Sequence, residues 1–207
     1  MQHTQRRRVR KNDFVAVALT SQTTFTFTMR TMHIKGAIDV DTANAYYTEM
    51  YNNLPWDHSI KNTRKGTSLD LKQFPEIEHL VLSLMKKYTP AESQNLMVLG
   101  LYANLYRDGN DYAPSHRHVG QVQYIISLGE TRALKVGSKT YALENGDLCI
   151  FGSASHSVLK DPSITKPRIS IAVFAVPMDG IAAQYKTADS GLTLMELLTT
   201  VMHNLDK

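Results

Sequence analysis

The chain has 207 residues, 43% of them apolar and 20% charged, enough for one globular domain with a substantial core. No apolar run approaches bilayer length, which argues against a helical membrane protein, and the single cysteine, Cys149, rules out an internal disulfide and fits a reducing compartment. The net charge of +4 is modest, yet Arg6, Arg7, Arg8, Arg10 and Lys11 concentrate much of it at one end.

Residues 1–22 therefore read as a basic tail, suited to phosphate contacts or to a localisation signal, and equally to a solvated segment. The apolar run Phe14–Leu19 mimics a signal peptide but is short and precedes no small-residue cleavage site, so a cytoplasmic protein is expected, or a nuclear one in a eukaryotic or viral setting. The main domain is expected over residues 23–180, opening with alternation over Thr24–Ile38 that predicts a strand. Asp41–Asn53 predicts a helix capped by Asp41 or Thr42, and the polar, basic segment Asn53–Phe74 predicts a long loop that includes the Lys61–Lys65 cluster. Pro75 opens a second helix, whose apolar face Ile77, Leu80, Val81, Leu84 and Met85 runs to about Tyr88.

Beyond Leu96 the pattern changes to strands: Val98–Tyr106, Val122–Leu128, Ala133–Val136, Lys139–Leu143, Leu148–Phe151 and Ile169–Val176. Serial short strands imply a sandwich or barrel. A last helix is expected at Leu192–Leu205, with Thr193 and Glu196 spaced as a capping box, packed on the domain within residues 181–207. Cys149 lies in DLCIF, a buried-strand pattern, and reads as a core residue rather than a nucleophile.

His116 and His118 stand one residue apart before an apolar run, where an extended backbone projects both from one face. His156 follows the DLCIF strand and the small-residue turn GSAS. Two ligands from one strand and a third from the end of another can hold a metal at a barrel mouth with coordination positions open, although a surface pair plus a core histidine is as common. His3, His33, His58, His79 and His203 show no such pairing and read as structural or surface residues.

The run NLYRDGND followed by H-x-H, then Ser127-Leu128-Gly129 with Arg132, Gly146-Asp147 entering an apolar strand, the upstream Leu54-Pro55-Trp56, and Arg168-Ile169-Ser170-Ile171 together resemble the AlkB family of Fe(II)/2-oxoglutarate dioxygenases. The resemblance spans roughly Ile38 to Val176. It implies a mainly β fold with flanking helices, a double-stranded β-helix or jelly roll. It implies Fe(II) held at His116, His118 and His156, and 2-oxoglutarate contacted by Asn104, Tyr106, Arg168 and Ser170. It also implies a nucleic-acid substrate, DNA or RNA, hydroxylated or oxidatively demethylated at a base; Tyr112 and Trp56 are the aromatics available to stack on such a base, although residues of this kind are more often core or rim aromatics. No membrane partner is expected.

Three departures bear on that chemistry. His118 stands where the family has the aspartate of H-x-D; the second arginine of the family's R-x-N-x-T-x-R motif falls at Phe174; and the interval from Gly146-Asp147 to His156 is short. Three neutral imidazoles leave a divalent ion near +2 rather than +1 and resemble catalytic zinc sites, so zinc or another divalent metal competes with iron. Two alternatives therefore accompany the dioxygenase reading. One is a catalytically altered or inactive AlkB-like module that binds nucleic acid or protein, and the other is a cupin-like three-histidine metalloenzyme.

Overall fold

Val122–Gly129 carries only two polar side chains, Gln123 and Ser127, and a strand of that kind needs cover on both faces. In the computed structural model, which describes residues 29–56, 58–60, 63–69, 74–89 and 96–178, it has both. The described elements are β1 (Met32–Ile34), α1 (Val40–Asn53), β2 (His58–Ile60), β3 (Arg64–Ser68), α2 (Pro75–Tyr88), β4 (Leu96–Tyr106), β5 (Ala113–His116), β6 (Val122–Gly129), β7 (Arg132–Val136), β8 (Lys139–Leu143), β9 (Leu148–Phe151), β10 (His156–Val158) and β11 (Arg168–Pro177).

They form two antiparallel sheets, a larger one in the order β1-β9-β6-β11-β4-β3-β2 and a smaller one in the order β5-β10-β7-β8. Alternation sorts side chains between two cores. Leu101, Ala103 and Leu105 of β4, Tyr124 and Ile126 of β6, and Ile169, Ile171 and Val173 of β11 pack against Ala43 and Met50 of α1 and Ile77, Val81 and Leu84 of α2. The opposite faces place Tyr106, Ile125, Cys149, Phe151 and Ala172 against Leu134, Val136 and Val158 of the smaller sheet. The fold is a jelly roll with the two helices covering the outer face of its larger sheet. Among the described residues no helix is long and apolar enough to cross a membrane.

The helix ends follow their local chemistry. Pro75 starts α2, acidic Glu76 and Glu78 occupy its first turn, and Lys86 and Lys87 its last, each charge complementing the helix dipole. The cap of α1 is Asp39, not Asp41 or Thr42: Asp39 is extended, and its Oδ1 accepts from the Thr42 backbone N–H at 2.9 Å.

Four other expectations change. The strand expected over Thr24–Ile38 reaches only Ile34 in its described part, because Gly36 turns the chain with φ +56°. The expected loop Asn53–Phe74 contains the β2–β3 hairpin, which extends the larger sheet beside β4. The strand expected to carry both His116 and His118 is β5, which ends at His116, and the short strand β10 that begins at His156 was not expected. The strand expected from Val98 begins at Leu96. The basic tail and the Leu192–Leu205 helix lie outside the described residues.

Candidate metal centre and anion pocket

β10 lies between β5 and β7, and its register sets His156 directly opposite His116 across the β5–β10 ladder. His118 does not share a strand with His116 as expected; it follows two residues after β5 ends, in irregular backbone. The three rings nevertheless converge. Centroids are 4.2 Å apart for His116 and His156, 5.2 Å for His116 and His118, and 5.6 Å for His118 and His156. One ring nitrogen from each lies within 4.8 Å of the other two.

Hydrogen bonding sets which nitrogen is free. The His116 Nδ1 lies 2.7 Å from the Pro114 carbonyl and the His156 Nδ1 3.2 Å from the Ala154 carbonyl. A carbonyl only accepts, so each Nδ1 carries the proton and each Nε2 keeps a lone pair. Burial pushes the His156 imidazole down to about 4 and, with the His116 charge beside it, lowers His118 as well. All of this favours the neutral rings that a metal requires. Phe151 packs 4.9 Å from the His156 ring and Phe174 4.7 Å from the His118 ring, so aromatic side chains flank two of the three imidazoles.

Facing this centre, the inner positions of β11 run Arg168, Ser170, Ala172, Phe174, and the β4 partners of the first two are Tyr106 and Asn104. Arg168 is fully buried, and its Nε donates to Ser127 Oγ at 2.9 Å. Its Nη1 and Nη2 make no hydrogen bond of good geometry among the described residues, the Tyr106 side chain being only a loose partner. Burial brings this guanidinium down to about 10, with Tyr106 supporting its charge, so it remains a cation at neutral pH. Two donors without a good partner on a buried cation mark the place of an anion.

Two further arginines approach the same ring. The Cζ atoms of Arg168, Arg132 and Arg64 lie 5.3, 5.5 and 5.9 Å from the Tyr106 centroid. Arg132 is engaged: Nη1 donates to the Asp108 carbonyl and Nη2 to those of Asp111 and Leu159. Arg64 was absent from the sequence-based site because its segment read as a loop. It donates from Nε to Asn104 Oδ1 at 2.9 Å, and its charge contributes to lowering His156.

Asn104, Tyr106, Arg168 and Ser170 are thus neighbours on one inner face. Tyr112 is half-buried, its backbone N–H donating to the Thr63 carbonyl and its ring lying under Lys160 Nζ at 4.6 Å. Trp56 is not brought to the histidines; it packs with the helix-side core, and its Nε1 donates to the Tyr51 carbonyl.

Of the other expectations, Asp108 accepts from the Asn110 N–H at 2.8 Å as a turn residue does, and Cys149 is fully buried, with burial pushing its thiol up to about 12. His33 pairs with Asp147 at 2.8 Å and His79 is exposed, whereas His3 and His203 lie outside the described residues.

No family model matches the chain, and no curated protein sequence matches it. Solved structures do. HygX from Streptomyces hygroscopicus, with nickel and 2-oxoglutarate bound, is similar at TM-score 0.58 and 11% identity, over 72% of this chain and 84% of that one. An oxidoreductase of the 2OG-Fe(II) oxygenase family from Burkholderia pseudomallei is similar at 0.56 and 13%, over 71% and 84%. SnoN, a non-heme alpha-ketoglutarate-dependent epimerase of nogalamycin biosynthesis, is similar at 0.55 and 12%, over 70% and 78%. At such identities the likeness is one of fold, the jelly roll.

Proposed function

We propose that the protein is an Fe(II)/2-oxoglutarate-dependent oxygenase with a three-histidine metal centre. The observation that carries this reading is the pairing of two receptors inside one barrel, three converging imidazoles and a buried Arg168 whose two terminal nitrogens make no hydrogen bond of good geometry. The donor set fits a divalent first-row ion, with imidazoles at three positions and no protein carboxylate among them. The solved structures of similar fold described as 2-oxoglutarate oxygenases support the choice of cosubstrate.

Iron would supply the oxidising chemistry; the chain's own residues position and exclude. His116 and His156 present their Nε2 atoms because backbone carbonyls hold their Nδ1 protons. Arg168 would take the distal carboxylate of 2-oxoglutarate through its paired Nη donors, a two-pronged contact that a lysine cannot reproduce. Phe151 and Phe174 line the histidines with apolar surface and limit water there.

The finer reading is AlkB-like, with a nucleobase as the group oxidised. It is supported by the Asn104–Gly129 motif and by the half-buried Tyr112 ring, while Trp56, held in the helix-side core, adds nothing to it.

Anaerobic addition of Fe(II) and then 2-oxoglutarate should give the visible charge-transfer band of a chelate, and admitting oxygen should yield succinate. Arg168→Ala should weaken 2-oxoglutarate by at least about a hundredfold while leaving iron binding within about threefold. The neutrality of His118 favours a second reading, a module that binds without turnover, and a band without succinate would select it. Metal uptake indifferent to 2-oxoglutarate would discard both.

A further inference from the structure

We propose that Arg64 and Arg168 form a two-guanidinium receptor that binds a five-carbon dicarboxylate without any metal. The inference takes the identity of the anion from the proposed function; the receptor itself is read from the pocket.

Arg64 enters the pocket because of strand register. β3 pairs with β4 so that Gly66 faces Asn104 and Lys65 faces Leu105, which brings Arg64 to the end of the ladder beside Tyr106. A Cβ at Gly66 would meet the tip of the Ile60 side chain, which covers the backbone there and would have to shift. The Arg64 Nε bond to Asn104 Oδ1 has a second consequence. With its oxygen tied, the Asn104 amide must present its NH2 elsewhere, and so it adds donors rather than acceptors. Arg64, Arg168 and Asn104 around the Tyr106 ring make a cluster dominated by donors.

The cations are also uncompensated. The nearby acids serve other cations: Asp111 binds Arg107 through both oxygens, and the charges of Asp161 and Asp108, which accept from Ser163 and Asn110, support Arg132. Neither Arg64 nor Arg168 forms an ion pair among the described residues. His118 matters here too, because a carboxylate at that position would repel an incoming dianion and an imidazole does not. A dianion gripped by one guanidinium depends on a metal to hold its other end. Arg64 and Arg168 both lie against the Tyr106 ring, so in the proposed complex each carboxylate would meet its own cation, Arg168 through Nη1 and Nη2 and Arg64 through Nη2, because its Nε and Nη1 are engaged with Asn104 and Thr63.

The test is calorimetry on the full chain stripped of metal by chelator, with 2-oxoglutarate and glutarate as probes. Both should bind, with affinities within about threefold of each other, because the keto oxygen has no partner in the absence of metal. Arg64→Ala should weaken both at least about tenfold, and Arg64→Lys should recover part of the loss by restoring charge without the fork. No binding of either probe to the metal-free parent would overturn the proposal, as would parental affinity in a folded Arg64→Ala. Adding Ni(II) separates this from the parent reading. Preference for 2-oxoglutarate over glutarate should then appear; if both probes bind metal-free but nickel creates no preference, chelation fails and the receptor stands.

Discussion

His156 is at once a proposed ligand and the most deeply buried of the three imidazoles, and the two roles share one protonation state. Its folded value of about 4 lies below the ordinary 6.5, so between those pH values the unfolded chain takes up the proton first. Stability contributed by neutral burial is therefore complete above 6.5 and is lost as pH falls toward 4, by an amount on the order of 3 kcal/mol at the acid end. Urea unfolding of the metal-free protein at pH 7.0 and 4.5 should show the loss, and His156→Gln should remove most of it; an equal loss in that variant would assign the effect elsewhere. The histidines were legible because H-x-H before an apolar run is a local pattern. Arg168 was legible because it precedes a long β-branched strand in a family-like motif. Arg64 was not, because nothing in a polar, basic segment tells which residue turns inward. The β3–β4 register decides that, and register is a non-local property.

Among the elements, β1 is the shortest in the larger sheet apart from its equal β2, and it sits at an edge. Three residues of ladder hold little, so the side chain of Asp147 at the entry to β9 supplements them. Its Oδ1 accepts from the Gly36 N–H at 2.9 Å, and its Oδ2 accepts from the Glu144 N–H at 3.0 Å and meets His33 Nε2 at 2.8 Å. Burial alone would raise the Asp147 carboxyl, but these donors outweigh it and hold it below 3.8, so the clip persists above that pH and weakens below it. Asp147→Ala should cost about 2–3 kcal/mol and release the amides of Met32–Ile34 first in hydrogen exchange. Uniform release across both sheets would show that Asp147 supports the fold generally. α2, β8 and β9 matched their sequence-predicted bounds because periodicity, proline and glycine punctuate them. β5 and β10, four and three residues carrying proline, serine and histidine, have no apolar period of their own and are strands only because they pair with each other and with β7.

Across the whole molecule, the proposed metal ligands and the proposed anion receptor belong to different sheets. His116 and His156 are carried by β5 and β10 of the smaller sheet, whereas Arg64, Asn104, Tyr106 and Arg168 are carried by β3, β4 and β11 of the larger. A cosubstrate that reaches both would staple one sheet to the other. Binding at either receptor then orders the groups that the other needs, and the coupling is reciprocal by linkage. Thermal unfolding should accordingly show a modest rise in Tm with Ni(II) alone and a modest rise with 2-oxoglutarate alone in chelator. Together they should raise Tm by more than the two separate shifts combined, because each ligand binds the folded state alone and strengthens the other's hold on it. Glutarate, which lacks the keto oxygen that lets 2-oxoglutarate chelate, should give shifts with nickel that merely add. Additive shifts for 2-oxoglutarate as well would mean that the two receptors do not share a ligand, even though each is built correctly on its own sheet.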